Sequence, residues 1–142
     1  MRKPDLIIGP ADNPYMLRWH LLRWRGWQLS LHKFLRSDDD RALHDHVGDN
    51  LSFVIRGDYY EVLSHEWEPL KTRWCWRLTF RFRKAEMPHR IVILRGSSAP
   101  VWSIWLRWPA RREWGFYCRS GWRHWRDYVA EREGYYQTGI ST

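Results

Sequence analysis

Two histidines one residue apart, His44 and His46, lie in the segment RALHDHVGDNLSFVIRG at 41–57, and a third, His89, heads a second strand-like run, HRIVIL at 89–94. Residues two apart on an extended segment leave the same face of a sheet, so His44 and His46 would present both imidazoles to one side. Imidazole is the commonest protein ligand for Zn, Fe, Ni and Cu and binds as the neutral base available near pH 7. The chemistry open to these residues is therefore to hold a divalent transition metal. A His-x-His pair serves equally well as hydrogen-bonded polar residues in a barrel mouth or on a surface, so the decision falls to the surrounding elements.

Those elements read as short strands. Residues 1–14 carry Pro4, Gly9, Pro10 and Pro14 and read as an irregular lead-in. From Trp27 onward, Trp27, Leu29, Leu31 and Leu35 share one parity, and Gln28, Ser30, His32 and Arg36 the other, the pattern of a half-buried strand. The Ser-Asp-Asp-Asp run at 37–40 breaks it, because short polar side chains bond their own backbone and favour turns. The histidine strand turns at 47–50, returns through 51–56, and Asp58 to Leu63 is expected to continue the same sheet after Gly57. A polar turn around 65–69 follows.

Arg73 to Arg83 is the cleanest alternation: Trp74, Trp76, Leu78, Phe80 and Phe82 against Arg73, Cys75, Arg77, Thr79, Arg81 and Arg83. It reads as one strand with an apolar core face and a cationic face. If the cationic face lines a lumen, Arg81 and Arg83 could hold an anionic substrate through bidentate guanidinium forks; if it meets water they are ordinary surface. A turn at 84–88 leads into His89, Ile91 and Ile93, which point one way, and a loop spans 96–100. Val101 to Trp108 alternates again, placing Trp102 and Trp105 on opposite sides, and Trp105 is a candidate pocket wall. Residues 114–118 read as a last strand. Trp122, Trp125, Tyr128 and Val129 then suggest a short amphipathic helix ending at Gly134, with 137–142 fraying. Many short strands with almost no helix predict an all-β sandwich or barrel.

The totals bound the function. The 142 residues suffice for one domain with a real core, here taken as 15–134 with a tail at 135–142, and are too few for two ordinary ones. No run approaches the ~18 uncharged apolar residues a membrane helix needs, which predicts no membrane partner. The N-terminus lacks the apolar stretch of a signal peptide, so the expectation is a cytoplasmic protein. Cys75 and Cys118 form no disulfide framework and no zinc-knuckle spacing, and read as packed thiols. The net charge of +8 and arginine-rich composition point to an anionic partner, with nucleic acid as one option. The arginines do not cluster, however, and a GC-rich coding sequence would also enrich Arg and Trp. His20, His32, His65 and His124 belong to no constellation and are expected to be surface or hydrogen-bonded residues. No Ser nucleophile elbow, phosphate-binding glycine loop or dinucleotide fingerprint is present.

His44-x-His46, three residues, Asn50, six residues and Gly57, followed by AEMPH at 85–89, resembles the paired motifs of the cupin superfamily. Residues 16–128 also resemble small cupin-like proteins carried by phages and prophages, which would place the chain in host cytoplasm. The resemblance implies a cupin-like jelly-roll barrel in which His44, His46 and His89 ligate Fe, Zn, Mn or Ni, leaving open positions for water, substrate or dioxygen. It departs from the family at Asn50, where an acidic ligand is usual; a neutral amide oxygen is the weaker ligand. Asp49 and Glu86 are the alternatives that a bulged turn or a reaching side chain would supply, whereas Asp45 should point to the opposite face. The implied function is oxygenase or isomerase chemistry on a small anionic molecule, with a non-catalytic binding module or phage accessory factor as the rival. Pairing through sheet edges into a homodimer is a further implication.

Overall fold

The computed structural model describes residues 2–10, 12–38, 42–63, 71–94, 100–131 and the backbone of 136–138. The chain forms two antiparallel sheets packed face to face. The first contains β1 (Leu6–Gly9), β2 (Met16–Trp24), β3 (Trp27–Phe34), β5 (Asn50–Arg56), β8 (Phe80–Arg83), β10 (Val101–Arg107) and β13 (Tyr136–Thr138), in the order β13-β1-β2-β3-β10-β5-β8. The second contains β4 (Leu43–His44), β6 (Tyr59–Leu63), β7 (Lys71–Cys75), β9 (His89–Val92), β11 (Gly115–Cys118) and β12 (Gly121–His124), in the order β12-β11-β4-β9-β6-β7. One short helix, α1 (Trp125–Ala130), packs Tyr128 onto Phe116, with ring centroids 4.0 Å apart. This is the jelly-roll arrangement expected of the sequence.

Four local expectations are corrected. The lead-in is not wholly irregular: β1 pairs with β2 and, through Ile7 and Thr138, with β13, so part of the expected fraying tail is a strand. Residues after Gly57 do not continue the sheet. Gly57 adopts φ +78, a conformation cheap only for glycine, and the chain passes from β5 in one sheet to β6 in the other. The expected helix over 122–129 begins only at Trp125, because Gly121 to His124 pairs with β11. The expected turn at 65–69, the core of the 96–100 loop and the helix stop at Gly134 lie outside the described residues.

The fourth correction concerns Arg73 to Arg83. It is two strands in different sheets, β7 and β8, joined by a turn in which Leu78 takes φ +66 and donates its N–H to Val54 O at 2.7 Å. Its apolar face is not core: Trp76 is 58% exposed and Phe80 61%, whereas Cys75 is fully buried and Arg83 is 2% exposed. The same inversion marks β3, whose buried residues are Gln28, Ser30, His32 and Phe34. The reason lies across the sandwich. The inner faces line a cavity of mixed polarity, and polar residues of these strands turn inward where they reach it. Apolar ones pack on the outside, as Phe53 and Phe80 do with centroids 4.4 Å apart. The apolar core proper (Ile8, Met16, Phe34, Val54, Tyr59, Cys75, Ile91 and Val101) borders that cavity and supplies part of its wall.

Candidate metal centre and its cavity

His44 and His89 face each other directly across the β4–β9 pair. His46 follows β4 and is held by its backbone N–H, which donates to Ala85 O at 2.9 Å. The intervening Asp45 turns the other way, fully buried. It accepts from Gly115 N–H at 2.7 Å, Arg112 Nη1 at 2.6 Å and Trp122 Nε1 at 3.0 Å. Asp45 thereby ties β11 and β12 to the histidine segment and fixes the alternation that sends both imidazoles inward. The ligand-capable nitrogens of His44, His46 and His89 all lie within 4.8 Å of one another.

Nε2 of His46 lies 2.7 Å from Nε2 of His89. Two nitrogens each ~2.0–2.1 Å from one ion stand ~2.9–3.4 Å apart between right-angled and tetrahedral geometry, so this pair would have to open by a few tenths of an ångström to share a cation. Their charge state suits the role. Burial drives His44 and His46 well below the ordinary imidazole value, assisted by the neighbouring His89, and burial lowers His89 too, against the opposing pull of Glu61. All three are neutral bases at pH 7.

Glu61 is the part of the site the sequence reading missed. It is fully buried on β6, its Oε1 lies 2.6 Å from His89 Nδ1, and it also takes Nε of Arg73 at 2.7 Å and Nε of Arg83. The His89 contact is close without the alignment of a regular hydrogen bond, since Nδ1 finds no well-directed acceptor. Burial alone would raise the Glu61 pKa. The Arg83 guanidinium and His89 override it and hold the carboxyl well below its usual range. A carboxylate in the middle of an apolar strand was the available signal, because such a group must be paired to be buried.

The imidazoles open onto a cavity of about 300 Å³, at the lower end of the range typical of small-molecule sites. Asn50 lines it, fully buried, with Nδ2 lacking any hydrogen-bond partner. Asp49 and Glu86 do not join the cluster. Asp49 accepts from Ala85 N–H at 2.8 Å and Arg111 Nη2 at 2.8 Å, and Glu86 is an exposed partner of Arg111. Arg83 reaches the cavity wall but is committed to Glu61, to Ser52 Oγ at 2.8 Å and to Tyr59 OH at 3.2 Å. Arg81 is directed to Trp74 O at 2.8 Å and Phe80 O at 3.0 Å, away from the cavity. Trp105 lines the cavity, its ring 6.2 Å from that of His46 and 5.2 Å from that of His32.

Arg18 was also missed. It lines the cavity from β2, its Nε donates to Nε2 of His32 at 2.9 Å, and its guanidinium lies over Trp105 at 4.8 Å. Burial lowers its pKa to about 10, so it stays a cation at neutrality. The inward polar parity of β3 pairs with it in register, Arg18 opposite His32, and that shared polarity was its signal in the sequence. The remaining histidines behave as expected where described: His20 contacts Ser30 Oγ at 3.2 Å, and His124 contacts Glu113 at 3.0 Å.

No protein-family model matches the chain, and no curated protein matches it. Solved structures do. An Fe(II)-HppE structure with the alternative substrate (S)-1-HPP superimposes with a TM-score of 0.59 at 18% identity, over 76% of this chain and 59% of that one. Hydroxypropylphosphonic acid epoxidase from S. wedmorenis gives 0.57 at 18% identity, over 76% and 58%. The fold is cupin-like. A protein assigned only provisionally as a mannose-6-phosphate isomerase, from Ralstonia eutropha JMP134, agrees with a TM-score of 0.58 at 15% identity, over 72% of this chain and 92% of that one. The cupin-like chain thus spans well under two thirds of the epoxidase and most of the shorter protein. Among its described residues, no helix is long and apolar enough to cross a membrane.

Proposed function

We propose that this cupin-like chain holds one divalent transition metal ion on His44, His46 and His89 and uses it to act on a small anionic molecule, with oxygenase or isomerase chemistry. The observation that carries the reading is the convergence of three neutral imidazoles, ligand atoms within 4.8 Å, on the wall of a 300 Å³ cavity. The donor set fits the ion: three nitrogen ligands suit Fe, Zn, Mn or Ni and leave positions open, as a catalytic centre requires. Once bound, the ion would polarise a substrate donor or activate dioxygen. Solved structures of the epoxidase carry Fe(II) and Co(II) with substrate, which supports the same metal class here.

The chain's own residues supply the rest. Glu61 lies against His89, and Trp105 and Phe116 supply aromatic parts of the cavity wall. Asn50 Nδ2, buried and unpartnered, is a donor for a ligand oxygen; leaving it unpaired costs about 1–3 kcal/mol, which such an oxygen would offset. Asn50 also favours a second reading, a binding module without catalysis, because it brings no charge to hold the ion.

Elemental analysis of purified protein beside a His44→Ala/His46→Ala double variant tests the site. Near-stoichiometric metal lost in the variant supports the proposal, and no metal in either leaves the binding module. Dioxygen uptake by the metal-loaded protein with candidate phosphonates or hydroxy acids then separates oxygenase chemistry from isomerase chemistry.

A further inference from the structure

We infer that Arg18 is the anchor for the anionic head of the cavity's ligand, so that the ligand is a short molecule lying along Trp105 with a carboxylate or phosphoryl-type group at Arg18 and its reacting end at the imidazoles. The inference rests on the reading of this cavity as a ligand site.

Its basis is an account of which charges are already neutralised. Three of the carboxylates near the site have arginines of their own: Glu61 has Arg83 and Arg73, Asp45 has Arg112, and Asp49 has Arg111. Asp38, which also lines the cavity, gives Oδ2 to Ile91 N–H at 2.9 Å and lies 3.9 Å from His44 Nδ1. Arg83, the anion-holding candidate of the sequence, is spent on Glu61. Arg18 has no ion pair with any carboxylate among the described residues. Its guanidinium instead meets the neutral His32 ring and the face of Trp105.

Those partners orient the guanidinium without cancelling its charge. Nε is occupied by His32, which leaves the Nη edge as the fork that accepts a carboxylate or phosphate. Arg107, on β10, lines the same cavity and adds positive potential there, with Nη1 donating to Trp108 O at 3.1 Å. A half-buried cation with no counter-ion among the described residues is costly, and an anionic ligand head would supply one. Trp105 lies against both Arg18 and His46, so one indole spans from the anchor to the imidazoles.

The test is calorimetric titration of the full-length protein, stripped of metal with chelator and separately loaded with Zn²⁺, using inorganic phosphate, methylphosphonate and acetate as probes. One anion per chain should bind the metal-free wild type. Arg18→Gln should weaken it at least tenfold, whereas Arg56→Gln, an exposed arginine outside the cavity lining, should leave it within about twofold. Phosphate and methylphosphonate ranking above acetate identifies a phosphoryl-type head; the reverse identifies a carboxylate. Arg18→Lys keeps a cation in place and guards against a Gln variant that fails to fold. It should also weaken binding severalfold, because an ammonium cannot form the fork. Affinity unchanged in both Arg18 variants overturns the inference, as does anion binding that appears only with Zn²⁺ and vanishes with the histidines. If the wild type takes up no metal yet shows Arg18-dependent anion binding, the anchor stands and the metal reading fails alone.

Discussion

Glu61 Oε1 lies 2.6 Å from Nδ1 of His89, and the opposite nitrogen of that ring, Nε2, lies 2.7 Å from Nε2 of His46. A carboxylate on one side of an imidazole favours the proton there and leaves the other nitrogen's lone pair free for a cation. On the proposed reading, this outer charge would bias the His89 tautomer toward metal binding through Nε2.

Glu61→Gln keeps the side-chain size and removes the charge. Metal affinity, read by competition with a chromophoric chelator, should fall about 10–100-fold. Stability should also drop, by about 3–5 kcal/mol, because Arg83 and Arg73 lose their buried counter-ion. A folded Gln variant with wild-type metal affinity would remove Glu61 from the site.

Acid should destabilise the metal-free protein early. His32, His44, His46 and His89 have native pKa values below the ordinary 6.5, burial being the largest cause for each. As pH falls below 6.5 the unfolded chain takes up protons that the native one refuses, so stability is fully present above that point and is lost on the way down. The loss per imidazole grows as the pH drops further below 6.5, and it is largest for His32, His44 and His46, which burial lowers furthest. The lowered carboxyl of Glu61 adds a second loss that starts only below its ordinary value of 4.5. Thermal unfolding followed from pH 7.5 to 5.0 should show Tm falling steeply; a flat profile would mean these rings are solvated or charged in the native state.

Asp45→Ala leaves the Arg112 guanidinium, Gly115 N–H and Trp122 indole without their acceptor. The expected cost is about 3–5 kcal/mol in chemical denaturation, since one partner of a buried ion pair is removed. Gly115→Ala should be equally damaging, because a Cβ there would stand 2.0 Å from Arg123 O and force β11 from β12. Stabilities within 1 kcal/mol of wild type would show that this strand pair is not what seats the histidines.

How far the sequence carried can be judged on particular residues. The His-x-His spacing and His89 were legible because metal-site geometry repeats the two-residue period of a strand, and the structure brings those three rings together. The period of Trp74 to Phe82 was legible too, but not which side it faced. Alternation reports that two faces differ, and the sense of burial depends on what the opposite sheet presents. Here Arg83 meets the buried Glu61 carboxylate at the cavity wall, so Arg83 is inside and Phe82 is outside. The break at Leu78 was hidden for a local reason: nothing in a leucine announces a left-handed backbone. Glu61 and Arg18 were not found because each gains its role from partners distant in sequence.

That strained leucine gives a separate check. Leu78 is 63% exposed at φ +66, a region that costs an ordinary residue about 1–2 kcal/mol and costs Asn less. Leu78→Asn should raise stability by up to about 1 kcal/mol in urea unfolding, whereas a single regular strand through Leu78 would make the same change neutral or harmful.

The most direct test of the central claim is anomalous diffraction from crystals of the wild-type protein loaded with Co²⁺ at neutral pH. The account predicts one strong peak bounded by ring nitrogens of His44, His46 and His89, each at about 2.0–2.2 Å, by analogy with imidazole–zinc distances. A crystal that takes up cobalt elsewhere, or shows those three imidazoles bonded only to one another with no peak between them, would contradict it.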